Sequence, residues 1–118
     1  MEARSYETLD VWKRACTLSV GLFEICRSCS DRVLSDQLTR AGLSVPSNIA
    51  EGYERDSPKE RVQFLKIAKG SCGELRTQLM IGVRAGLLPE TEAKAYLKEA
   101  VELSKMLHGL LTHYRSRS

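Results

Sequence analysis

A chain of 118 residues, 42% hydrophobic and 28% charged, has the size and composition of one soluble domain with a single core. No apolar run nears the roughly 20 residues needed to cross a bilayer, and the opening MEARSYETLD lacks the apolar stretch of a secretory signal, so a cytoplasmic protein with no membrane partner is expected. The net charge of +3 is too mild by itself to imply nucleic acid, and the four cysteines read as reduced thiols in that compartment.

Three prolines and eight glycines among abundant Leu, Ala, Glu, Lys and Arg favour helices. The first is predicted over residues 10–28, where Leu9, Trp12, Cys16, Val20, Phe23 and Cys26 recur at spacings of three and four. Ser30 or Asp31 is placed to cap a second helix over 32–53, which carries Leu34, Leu38, Ala41, Val45, Ile49 and Gly52. Pro46 removes one backbone hydrogen bond inside it, yet the periodicity runs on, which predicts a kink rather than a stop. The third helix, 58–84, opens on Ser57-Pro58-Lys59-Glu60, a capping box with proline at the first helical position, and Gly86 stops it. The fourth, 90–114, carries Ala93, Tyr96, Leu97, Ala100, Val101, Ser104, Leu107, Leu111 and Tyr114, and the closing RSRS is expected to fray. Short loops make sequential helices antiparallel. The predicted fold is all-α, one up-down-up-down four-helix bundle spanning 1–118.

Helix 3 carries two further messages. Its seam of Leu65, Ala68, Cys72, Leu75, Leu79 and Gly82 is flanked by a stripe of Phe64, Ile67, Ser71, Glu74, Gln78 and Ile81, apolar at the ends and polar in the middle. Counting back from the turns puts Arg40 within reach of Glu74, Gln78 level with Tyr96 and Asn48 level with Trp12. Arg40 and Glu74 are expected to form a buried ion pair that penalises wrong registers. Together with Asn48, Glu51 and Gln78 they make a polar set assigned to structure. Gly70 and Gly73 inside the helix cost about 1 kcal/mol each against Ala, which implies close packing or the approach of a partner.

The second message is electrostatic. Lys59, Lys66, Lys69, Arg76 and Arg84 fall on the arc opposite the core with no Asp or Glu among them. Helix 4 instead mixes Glu90, Glu92, Glu99 and Glu102 with Lys94, Lys98 and Lys105. A stripe of one sign is a candidate nucleic-acid-binding face. An ordinary solvated face and a dock for an acidic partner protein are its alternatives. The apolar Phe64, Ile67 and Ile81 beside the main seam exceed what one bundle helix needs to bury, which predicts a homo-oligomer.

Catalytic and metal signatures are sparse. Cys26-x-x-Cys29 ends a helix, where the negative dipole end raises a thiol pKa, and no second pair completes a zinc set. His108 and His113 are five apart and do not share a helix face. No Glu-x-x-His, phosphate loop or Gly-x-Ser-x-Gly occurs. No enzyme activity, metal or cofactor is expected.

Three blocks resemble one known family. They are Tyr6-x-x-Leu9-x-Val11-Trp12-x-x-Ala15; Gln37-Leu38-x-Arg40-Ala41 with Ser44-Val45-Pro46-Ser47-Asn48-Ile49-Ala50-Glu51-Gly52; and Phe64-Leu65-x-x-Ala68-x-Gly70-Ser71 with Glu74, Thr77, Gln78 and Leu79. The combination resembles the four-helix-bundle proteins encoded in intervening sequences of 23S rRNA genes. Thr39 departs from the pattern where a second basic residue is usual, and Tyr53-Glu54 depart from it before Arg55. The resemblance implies an antiparallel bundle that assembles into a ring, commonly a homopentamer, with no family-wide catalysis. It also implies kinship with retroelement accessory proteins that engage RNA or DNA and a reverse transcriptase.

Overall fold

Local chemistry sets the helix ends. The computed structural model describes residues 6–117. In them a 3₁₀ turn at Tyr6–Thr8 leads into α1 (Asp10–Cys26), α2 (Arg32–Tyr53), α3 (Pro58–Arg84) and α4 (Glu90–Arg115), with no strand among the described residues. The first five residues and Ser118, over which the signal and fraying expectations partly extend, lie outside them. Arg115, expected in the frayed tail, is instead the last residue of α4.

α1 ends two residues short of its predicted limit, because the Cys29 N–H bonds the Cys26 carbonyl at 3.1 Å and tightens the turn. Asp31 rather than Ser30 caps α2, its Oδ1 accepting from the Leu34 N–H at 2.8 Å. Pro46 is buried inside one continuous α2. Ser57 Oγ accepts from the Glu60 N–H at 3.3 Å, and Pro58 takes the first turn of α3. Gly86, at φ +72°, closes it: the Leu87 N–H reaches the Gly82 carbonyl at 2.8 Å and the Gly86 N–H reaches Val83 at 3.0 Å. These paired bonds are a Schellman stop, which needs a residue free to adopt positive φ.

The backbone of each helix lies beside two neighbours and away from the helix diagonal to it, which side chains alone reach, so the four stand around one core in up-down-up-down order. Leu22, Leu38, Ile49, Leu65, Leu79 and Leu107 are among its fully buried side chains. α2 and α3 share the most extensive contact. α1 and α4 are tied by Arg14, whose guanidinium grips both Glu99 oxygens at 2.8 and 2.7 Å. That bond holds the Glu99 carboxyl below the usual carboxylate range. Its contribution is therefore present above the ordinary carboxylate pKa and fades as pH falls through the lowered one.

One end of the bundle is closed by a cation. Arg61 donates to the Gly52 and Arg55 carbonyls, both at 3.0 Å, at and just past the last turn of α2, where the Arg55 N–H also reaches Gly52 at 3.3 Å. The same guanidinium lies 4.5 Å from the Tyr53 ring and 5.0 Å from that of Tyr114. The Tyr114 hydroxyl donates to Tyr53 Oη at 3.1 Å. Three helices thus meet on one side chain. Arg61→Leu should lower stability by about 2 kcal/mol, from the lost charge-assisted bonds and cation–π contacts. Thermal melts check this, and an unchanged midpoint would show that the clasp holds nothing.

Candidate nucleic-acid interface

The seam that turns Leu65, Ala68, Cys72 and Leu75 into the core leaves Lys69 and Arg76 one residue further round, on the side of α3 that meets α4. Both are half-buried, their stems against the bundle and their charges in the groove between the two helices. The groove holds two adjoining cavities. One, of about 360 Å³, is lined by Lys66, Lys69, Gly70, Gly73, Ser104, Leu111 and Arg115. The other, of about 330 Å³, is lined by Lys69, Arg76, Val101, Ser104, Lys105 and His108. Lys69 and Ser104 belong to both, so the two make one trough, and no acidic side chain lines either.

Of the five basic residues picked out on helix 3, the trough gathers Lys66, Lys69 and Arg76. Lys59 and Arg84 stay exposed at the two ends of α3 and line neither cavity. The arc opposite the core is thus only part of the picture, because Lys69 and Arg76 lean toward α4. Lys105, His108 and Arg115 were not legible as partners, since α4 reads as mixed charge along its length. Folding sorts that mixture: Glu99 turns to Arg14 on α1, and Glu90 pairs with Lys94 at 2.9 Å. Glu102 meets Lys105 at 3.6 Å, a surface pair of little strength. The recurrence of Ser104, Lys105, His108 and Arg115 on one side of α4 is the signal that could have found them.

The polar set divides. Asn48 Nδ2 donates to the Ser44 carbonyl at 2.8 Å and to Ser44 Oγ at 2.9 Å, and the Ser71 hydroxyl donates to Ser44 Oγ at 2.7 Å. Asn48 therefore serves the α2–α3 contact, while Trp12 packs edge-on with Tyr6. Glu51 pairs with Arg55 along α2, and the Arg55 guanidinium lies 4.9 Å from the Phe64 ring centroid.

The expected buried Arg40–Glu74 pair does not form. Both residues are exposed and no ion pair joins them. Arg40 stands about 200° round the helix from fully buried Leu38, and the serines fill the contact at that level, so neither charge has to leave water. Tyr96, expected level with Gln78, turns to α1 and lies against Gly21, where a Cβ would overlap its ring. Gln78 opens instead into a cavity with Val33, Gln37 and Ile81, its Oε1 buried and without a hydrogen-bond partner.

Two apolar patches remain outside the core. Val33 (73% exposed) and Ile81 (55%) border one cavity on the α2–α3 side, and Ile67 (50%) stands on α3 about 21 Å of helix away. Val20 (59%) and Phe23 of α1 lie on the other side of α2, and the seating of Leu22 on Gly42 puts exposed Leu43 level with them. Burial raises the thiol pKa of Cys16 and Cys26 and pushes that of Cys72 up to about 11. Among the described residues no three His, Cys, Asp or Glu gather as metal ligands, and no helix is long and apolar enough to cross a membrane.

The family model described as 23S rRNA-intervening sequence protein matches residues 7–109, so the chain belongs to that family. Its fold is shared with the crystal structure of a protein with unknown function from the S23 ribosomal protein family of Bacteroides thetaiotaomicron. The two superpose with a TM-score of 0.81 at 20% identity, over 86% of this chain and 97% of the other. No curated protein matches the sequence.

With both charges in water, Arg40→Met and Glu74→Gln should each shift stability by no more than about 0.5 kcal/mol. The measurement is a melt at concentrations low enough that assembly contributes nothing. A loss of about 3 kcal/mol or more would restore the buried pair.

Proposed function

For this member of the 23S rRNA-intervening sequence protein family we propose a non-enzymatic role: a homo-oligomer, acting in the cytoplasm, that binds RNA or DNA through the α3–α4 trough. The trough carries this reading. Two helices contribute cations to it, no acid lines it, and a polyphosphate releases counterions when it settles among such charges.

The apolar patches support the assembly. A ring needs two different surfaces that fit one another, whereas a two-fold dimer needs one that fits itself. The α2–α3 patch of one copy and the α1–α2 patch of the next supply such a pair. Five subunits is the number that family kinship suggests. Repetition around a ring would turn a weak single trough into an avid surface, and the same kinship makes a reverse-transcriptase-like partner a candidate. A scaffold that docks a partner protein is the second reading, favoured by the unsatisfied Gln78 Oε1 between exposed Val33 and Ile81.

Anisotropy titrations with unrelated RNAs and DNAs, set against heparin, test the proposal. The wild-type protein should bind all the nucleic acids with similar affinity. The variant Lys66→Gln/Lys69→Gln/Arg76→Gln should melt near the parent yet lose binding. Its salt dependence on duplex DNA should flatten by about 0.9 per contact removed. Nucleic-acid binding unchanged in that variant would refute the trough, and binding to heparin alone would favour the scaffold.

A further inference from the structure

We infer that the trough seats consecutive phosphates of one polynucleotide strand, with the strand's backbone set down on bare helix at Gly70 and Gly73, and that it reads no base. This rests on the nucleic-acid reading above and adds how the ligand lies and what is ignored.

The lining has the form of a repeat. Lys66, Lys69 and Arg115 serve one cavity and Lys69, Arg76 and Lys105 the next, with the Ser104 hydroxyl and Lys69 shared between them. Cations stand on both walls at each position, Lys105 while it also meets Glu102 at 3.6 Å. Lys66 to Arg76 is ten residues, about 15 Å of helix. One strand of a duplex places about four phosphates over that axial length. A single small anion would occupy half of such a site.

The floor is the second observation. Gly21, Gly42 and Gly82 sit under neighbouring side chains that an added Cβ would strike. Gly70 and Gly73 do not: a Cβ at either would meet nothing within 4 Å, as is also true of Gly109 on α4, and only Gly70 and Gly73 stand among the cations of the trough. Packing within the chain therefore does not ask for glycine there, and helix propensity disfavours it. What the two glycines do provide is an unobstructed helix surface between Lys66, Lys69 and Arg76, where another backbone can come close.

The lining also lacks most of the groups that read sequence, its Arg and Lys side chains being the exception, since they meet guanine edges as well as phosphate. Apart from the His108 imidazole at one edge, no ring is present on which a base can stack. No Asn or Gln is present to pair with a base edge. Charge, one hydroxyl and the apolar Val101 and Leu111 remain, and the first two recognise phosphate.

The test is Gly70→Ala/Gly73→Ala in the full chain, with Lys69→Gln as the comparison. Melting temperature, assembly mass and binding to a DNA duplex, an RNA duplex and a mixed-sequence single strand are read together. The glycine variant should melt higher, keep its mass, and bind each probe about tenfold more weakly, the equivalent of one lost charge-assisted contact. Probes of unrelated sequence should lose affinity equally. If the glycine variant binds like the parent while Lys69→Gln does not, this inference falls and the nucleic-acid reading stands. If neither variant weakens binding, both fall. A glycine variant that loses its assembly also overturns the inference, because the glycines would then serve a subunit contact. A variant that weakens binding to one sequence only overturns the claim that no base is read.

Discussion

A bundle of four antiparallel helices turns one stripe of each helix inward, and in this protein the helices carry more than one stripe worth burying. The tightest constraint is at the α2–α3 contact. Ser44 and Ser71 meet there through hydroxyls 2.7 Å apart, between the fully buried Val45 and Cys72 that follow each of them. Small side chains at that level let the two helices lie close and fix their rotation about their own axes. With that rotation set, Lys69 and Arg76 face α4, Arg40 and Glu74 face water, and Val33, Ile67 and Ile81 are left outside. The trough and the patches are consequences of the same choice of inward stripe.

Most helix limits and the core faces of α2 and α3 were legible because they depend on local chemistry. The α1 stripe through Cys16, Val20 and Phe23 was not the buried one, since Val11, Ala15, Leu18, Leu22 and Ile25 enter the core while Val20 and Phe23 stay exposed. Asp31, Ser57 and Gly86 each act through bonds to residues within a few positions, and the spacing of Leu38, Val45, Leu65 and Leu79 reports directly which side is buried. The site was half legible. Counting residues back from a turn gives the height at which two side chains stand along a bundle, not the direction in which they point. Arg40 and Glu74 were placed at one height correctly enough to be paired, and wrongly because neither points inward. The α4 wall of the trough was hidden for the same reason. Its acids and bases alternate in sequence, and only folding sends Glu99 to Arg14 while Lys105 and His108 turn to α3.

The shared fold at 20% identity with a protein of unknown function shows how little of a bundle sequence its architecture demands. Apolar periodicity, a few caps and small residues where helices touch suffice. Function is therefore sought in what the surface of this chain carries without a structural need. The two uncovered glycines of the trough, its acid-free lining and a buried amide oxygen with no partner are such features, and the glycines and the amide cost some stability in a lone subunit.

The central claim is that these uncovered faces are working parts of a larger assembly rather than tolerated defects of a monomer. Static light scattering at micromolar concentration tests it most directly. The account predicts one discrete species several times the 13.2 kDa chain mass, about 66 kDa for a ring of five. A mass of 13.2 kDa held across that concentration range would contradict it.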